Sequence, residues 1–227
     1  MLRFAPWLPL ALFLATAADA QTLVDEGSFT ISRNDQTIGR EQFSIRSGVA
    51  AGGSGTSFTA YGTTTYSDRR LDPRLVTDAD GAPVRYEVET RIGPERQELL
   101  SGQVQRGRFS ARTQTPRGMS AREYIVADGA LILDDDIFHQ YFFVARTGRT
   151  GAVPVVVPRR NVQVTMQVEA RGTERLTIGN RAIDARHLTV SEPNGETRDV
   201  WVDSEGRVLR VVIPARGIIA QRDDPPA

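Results

Sequence analysis

Between Val162 and Glu169 the chain alternates without a break: Val162, Val164, Met166 and Val168 face one way, and Gln163, Thr165, Gln167 and Glu169 the other. Only a strand with one buried and one wet face gives that period of two. The same beat recurs along most of the chain. Phe29 and Ile31 alternate with polar partners, Phe43 and Ile45 share a face, and Val84, Tyr86, Val88, Thr90 and Ile92 oppose Arg85, Glu87, Glu89 and Arg91. Turn signals punctuate these runs: Asn34-Asp35, Asp80-Gly81, Gly93-Pro94, Gly107, Gly179-Asn180 and Asn194-Gly195. The Gly-rich stretch from Val49 to Ser57 reads as a mobile loop, and Asp72-Pro73 as an interruption, because proline cannot donate to a ladder. Gly172 reads as a turn, Thr147 to Arg160 as a connection, and Asp223 to Ala227 as a frayed tail. The pattern predicts an all-β, mainly antiparallel fold of about twelve strands, as a strongly curved sheet or half-barrel.

One stretch breaks the period. In Asp128 to Gly148, Leu133, Ile137, Tyr141 and Val144 recur at helical spacing, with Phe138 and Phe142 beside them. Asp134, Asp135 and Asp136 suit a helix N-terminus, Arg146 the last turn and Gly148 a stop. One internal helix near 134–146 is expected. Twelve strands at about 4.8 Å spacing make a sheet nearly 60 Å across, which a helix about 10 Å wide cannot cover. The sheet must therefore curl, with the helix inside it and an apolar cleft expected beside the helix.

The first twenty residues read as a signal peptide: Arg3, then the apolar run from Phe4 to Ala15, then the small-residue site Ala18-Asp19-Ala20. The run is shorter than the about 20 apolar residues that span a bilayer. Residues 21–227 then form a single curved β-sheet domain, periplasmic or secreted, and not membrane-spanning after signal cleavage. With no cysteine, thiol chemistry and cysteine-based metal sites are excluded. Formal net charge is zero, with 28 basic and 28 acidic residues, so nothing points to nucleic acid.

Arg198-Asp199-Val200-Trp201-Val202-Asp203, running to Gly206-Arg207-Val208-Leu209, joins the hairpin at Ile38-Gly39, the strand start at Gly81 to Tyr86 and the Asp-rich helix. Together with the signal peptide these resemble a family of uncharacterised exported bacterial proteins. Their single curved antiparallel sheet is similar to the half-barrels of the LolA and LolB lipoprotein carriers. The resemblance implies a concave sheet with a helix inside, and the carrier family a lipid-handling groove.

Chemistry-bearing clusters are sparse. Asp135 and His139 are four apart and share a helix face, which with Asp136 could hold a divalent metal for a hydrolase; no further ligand follows at metal spacing, and the adopted reading is a helix cap with no metal. His187 reads as a surface residue, and no serine sits in a nucleophile-elbow frame. No catalytic residue and no cofactor is expected. Trp201 lines a ligand site or packs on a neighbour, and the aromatics of the helix pack the core or touch a lipophilic guest. The ligand-binding candidates are thus Phe138, Tyr141, Phe142 and Trp201. The functional expectation is a non-enzymatic envelope protein that binds a lipid or other apolar small molecule; the alternative is a structural or protein-interaction component of the envelope.

Overall fold

The computed structural model describes residues 21–50 and 52–227; the segment read as a signal peptide lies outside the described residues. The expected class holds, with fifteen strands in one sheet rather than about twelve. They are β1 (Thr22–Arg33), β2 (Gln36–Val49), β3 (Thr56–Tyr66), β4 (Arg69–Asp78), β5 (Pro83–Ile92), β6 (Glu95–Gln105), β7 (Arg108–Thr115), β8 (Gly118–Ile125), β9 (Leu131–Ile132), β10 (Gly151–Val157), β11 (Val162–Ile178), β12 (Arg181–Ser191), β13 (Thr197–Val202), β14 (Val208–Ile213) and β15 (Ile218–Arg222). Among the described residues the one α-helix, α1, spans Tyr141–Thr147, and a 3-10 turn spans Pro214–Arg216.

The strands run as two antiparallel meanders joined through the chain's first and last strands, in the order β8-β7-β6-β5-β4-β3-β2-β1-β15-β14-β13-β12-β11-β10-β9. Only the β9–β10 pair is parallel. Closure follows from this order. β8 and β9 are the two outer edges of the sheet, yet only residues 126–130 join them. Laid flat, fifteen strands would hold those edges about 67 Å apart, whereas that linker reaches about 20 Å. The sheet therefore curls until its edges nearly meet.

Its concave face is the core. Phe29, Ile31, Phe43, Ile45, Leu71, Tyr86, Val88, Leu100 and Phe109 from one meander, and Val155, Val168, Val190, Val200 and Val211 from the other, form one buried cluster. Residues 130–145 fill its centre: Leu131, Ile132, Ile137, Phe138, Phe142 and Phe143 are all about 1 % exposed. This inner segment is a plug.

The expected helix is mostly not a helix. α1 begins only at Tyr141, and residues 133–140 form buried turns. Asp136 sits at φ +64°, which breaks a right-handed helix, and the N–H groups of Phe138 and His139 are taken by Glu41 of β2. The three-and-four spacing of apolar residues reflects burial on every side, which any compact segment inside a barrel shares. Gly148 does stop the helix, at φ 61°.

Three breaker residues do not break the sheet. Gly172 makes a bulge at φ +111°, so β11 runs on for 17 residues. Pro154 sits within β10, one strand from the sheet's end. Pro73 lies inside β4 because the β3–β4 ladder is open there: pairing jumps from Tyr61/Arg74 to Thr64/Leu71. The expected frayed tail is tied down, since Asp223 accepts from Ser28 Oγ at 2.5 Å and Thr30 Oγ1 at 2.6 Å, and its N–H donates to the Ser28 carbonyl.

Candidate functional site

Glu41 is the one carboxylate on the inward row of β2, two residues before Phe43 and four before Ile45. Its side chain is fully buried. Four donors converge on it: Thr64 Oγ1 at 2.9 Å and Phe138 N at 2.8 Å on Oε2, His139 N at 2.8 Å and His139 Nδ1 at 2.9 Å on Oε1. A buried carboxylate needs such compensation, and hydrogen bonds to a charged acceptor are the strong ones. His139 stacks on Phe43 with rings 5.6 Å apart and 6° from parallel. It sits over the opening in the β3–β4 ladder, where a Cβ on Gly62 would stand 2.6 Å from its Cε1. Gly62 is thus the space the imidazole needs. Its Nε2 is buried and unpartnered among the described residues.

The three aspartates go to three different places. Asp134 accepts from Tyr86 Oη at 2.8 Å and Arg159 Nε at 2.9 Å, and its own N–H donates to Gln140 Oε1 at 2.7 Å. Burial pushes the Asp134 carboxyl up, opposed by the Arg159 guanidinium and the Tyr86 hydroxyl. Asp135 lies 3.6 Å from Arg160 and 3.7 Å from Arg198. Asp136 pairs with Arg216 at 2.7 Å and Arg69 at 3.5 Å. His139 turns instead to Glu41, so the fold does not bring Asp135, Asp136 and His139 together. Among the described residues no cluster of three His, Asp or Glu has metal-ligand geometry. Chemically, this set fastens the plug to the surrounding sheet.

Three of the four ligand-binding candidates are brought together. Phe138, Tyr141 and Phe142 are 1 %, 6 % and 1 % exposed within the core, and Phe142 packs on Phe58 and Phe143. Beside these aromatics lies a cavity of about 10 Å³, lined by Asp134, Asp135, Asp136, Arg198 and Arg216 among others, and a wider, polar-rimmed pocket of about 460 Å³ lies at the C-terminal end of α1, between Asp80, Gly129, Arg146 and Arg149. The smaller of the two has room for about one water.

Trp201 lies apart, on the convex face. It stacks on His187, its cross-strand partner, with rings 4.3 Å apart and 11° from parallel. Its Nε1–H donates to Glu174 Oε2 at 3.0 Å, and His187 is flanked by Glu174 Oε1 and Asp199 Oδ1, each at 2.9 Å. With Ile178, Ala185 and Leu209 it makes a second small core on the outside of the sheet.

The feature that the sequence pattern does not show is β8. β8 pairs only with β7, and its other edge is bare. Val126 N donates to Gly107 O, which fixes the phase of the ladder. Stepping back by twos, Tyr124, Arg122, Ser120 and Gly118 bond to β7, while Met119, Ala121, Glu123 and Ile125 turn their backbone N–H and C=O groups to the free edge. Met119 and Ile125 are 71 % and 70 % exposed. A groove of about 480 Å³ runs along this edge, bounded by Arg122, Glu123, Tyr124 and Ile125 on one side and Asn161 and Gln163 on the other. The Tyr124 hydroxyl is buried there without a partner among the described residues, and burial pushes it up to about 12.

No protein-family model matches the chain, and no curated protein matches its sequence. Among solved structures it is similar to a β-barrel-like protein of the domain of unknown function DUF1849 from Brucella abortus, at 9 % identity and a TM-score of 0.55, over 88 % of this chain and 95 % of that one. At that identity the likeness is one of fold. Among the described residues no helix is long and apolar enough to cross a membrane.

Proposed function

We propose that this is a non-enzymatic protein of the cell envelope, exported by its first twenty residues, that works by binding another protein. The observation that supports it is the contrast between a filled interior and a bare sheet edge. The concave face is occupied by the chain's own residues 130–145, pinned by Glu41 and by the arginines around Asp134 and Asp136. Eight residues of β8 meanwhile present an unpaired edge to solvent. Exposed edges of that length recruit strands, and natural proteins protect them unless they serve pairing.

The lipophilic-ligand reading requires the plug to leave. Phe138, Tyr141 and Phe142 would then line the vacated space, but Trp201, on the other face, would not. Native mass spectrometry of protein purified from its own envelope distinguishes the two. The expected spectrum shows the mature chain without a lipid adduct, and a photo-crosslinker at Ala121 captures one reproducible protein that a crosslinker at Asp184, at the far end of β12, does not. A stoichiometric lipid adduct would place the carrier reading first.

A further inference from the structure

The β7–β8 hairpin is strongly basic in a chain of zero net charge. From Arg106 to Ile125 it holds five arginines, Arg106, Arg108, Arg112, Arg117 and Arg122, and one acid, Glu123. All five are exposed. Of these five only Arg108 has an ion-pair partner among the described residues, Glu123, at 3.8 Å. Around the plug the arginines each meet an aspartate, while other surface arginines, Arg33, Arg96 and Arg181 among them, stand singly along the chain. The hairpin thus sets five arginines against one acid within twenty residues, and Arg122 stands on the unpaired strand itself.

We infer that the β8 edge binds an extended, acidic segment of a partner protein as a sixteenth strand. The inference rests on the interaction reading above and names the partner's chemistry. The pleat specifies it further. Ser120, Arg122 and Tyr124 stand on the inner face of β8, and Met119, Ala121, Glu123 and Ile125 on the outer. A strand laid along the edge has its inward side chains beside Arg122 and its outward ones beside Met119 and Ile125. Acidic residues fit the first row. Apolar residues fit the second, where Glu123 repels a carboxylate. The recognised segment therefore alternates acidic and apolar residues. A second copy of this chain is disfavoured: the two-fold register that uses all four free edge residues sets Arg122 opposite Arg122 and doubles the local positive charge.

The test uses the mature protein and labelled eight-residue peptides alternating Val with Glu, Gln or Lys, followed by fluorescence anisotropy at low and physiological salt. The Glu peptide is expected to bind at least tenfold more tightly than the Gln peptide, and the Lys peptide most weakly. Arg122→Glu is expected to reverse the order of Glu and Lys peptides. Ala121→Pro removes an edge donor without breaking a bond to β7, so it should abolish binding with melting unchanged. A Glu peptide N-methylated at alternate residues should fail equally, which keeps the test valid even where the proline variant misfolds. Equal binding of all three peptides, lost with Ala121→Pro, overturns the acidic partner and leaves the edge reading standing. Binding that survives N-methylation overturns strand addition. No peptide binding, together with binding to phosphatidylglycerol vesicles, overturns both readings in favour of a membrane surface. No peptide binding with a dimer in solution assigns the edge to a second copy.

Discussion

Glu41 Oε1 holds both the backbone N–H and the ring Nδ1 of His139, at 2.8 and 2.9 Å, across 98 residues of sequence. Its other oxygen holds Phe138 N and Thr64 Oγ1. One side chain of the second strand thus fixes the point where the plug turns toward its helix. Glu41→Gln keeps the size but turns an amide donor toward groups that themselves donate. It should lower stability by about 3 kcal/mol, because a buried donor left unsatisfied costs about 1–3 kcal/mol and charge-assisted bonds are lost with it. A urea midpoint within experimental error of the wild type would show that the plug does not depend on this anchor.

A second long-range lock joins the ends of the described chain. Arg222 of β15 donates to both oxygens of Asp25 of β1, at 3.0 and 2.8 Å, with both side chains almost fully buried. Gly27 leaves the room, since a Cβ there would stand 2.9 Å from the guanidinium. Arg222→Met leaves a buried carboxylate unpaired and should cost about 3–5 kcal/mol. Adding Asp25→Leu should restore much of it, because replacing a whole buried pair is often neutral. Chemical denaturation of the single and double variants measures the difference; a double variant as unstable as Arg222→Met would mean that packing, not the orphaned charge, sets the cost.

Much of the architecture was legible because alternation is local. Met166 and Val168, or Tyr86 and Val88, declare their buried face without reference to any partner, although the ends of those runs, Val162, Val84 and Ile92, are exposed. The plug was legible as buried but not in its conformation, because its polar partners are remote: nothing near Phe138 or His139 signals that Glu41 will take their N–H groups. Glu41 itself carried a signal, as a lone carboxylate in phase with Phe43 and Ile45. β8 was hidden for a different reason. An edge strand exposed on both sides needs no alternation, and Gly118 to Ile125 shows none. Trp201 alternates with Val200 and Val202 and so faces away from them, but its stack on His187 depends on a cross-strand register that the sequence does not fix.

Tyr141 gives a test at alkaline pH. Burial pushes its phenol up to about 12, from about 10 in an unfolded chain. The folded state thus keeps the proton longer than the unfolded state. The sign follows: its contribution is intact below pH ~10 and is lost as pH rises from there toward 12. No hydrogen bond to its hydroxyl is seen among the described residues, so Tyr141→Phe should match the wild type at pH 7. By pH 12 the variant should be more stable than the wild type by about 2–3 kcal/mol. Equal stability of the two proteins across pH 7–12 would mean that the phenol reaches water.

Phe142 decides between core and guest site. It is 1 % exposed, 6.4 Å from the Phe58 ring and edge-on to Phe143 at 5.4 Å. A side chain so enclosed acts through packing, and truncation to alanine should cost about 3–5 kcal/mol, the transfer loss of the ring plus the cavity it leaves. On the interaction reading that loss is the whole effect: Phe142→Ala melts earlier, and neither it nor the wild type binds a fluorescent fatty acid. On the carrier reading the wild type binds the probe, and the variant loses affinity by more than its loss of stability explains. The plug sharpens the comparison, since Glu41→Gln loosens the same segment without altering an aromatic wall. A guest that enters by displacing the plug would therefore bind Glu41→Gln more tightly than wild type while binding Phe142→Ala more weakly. Opposite shifts of the two variants would restore the lipid-handling role to first place; no probe binding by all three proteins leaves the concave face as a sealed core and the β8 edge as the surface that works.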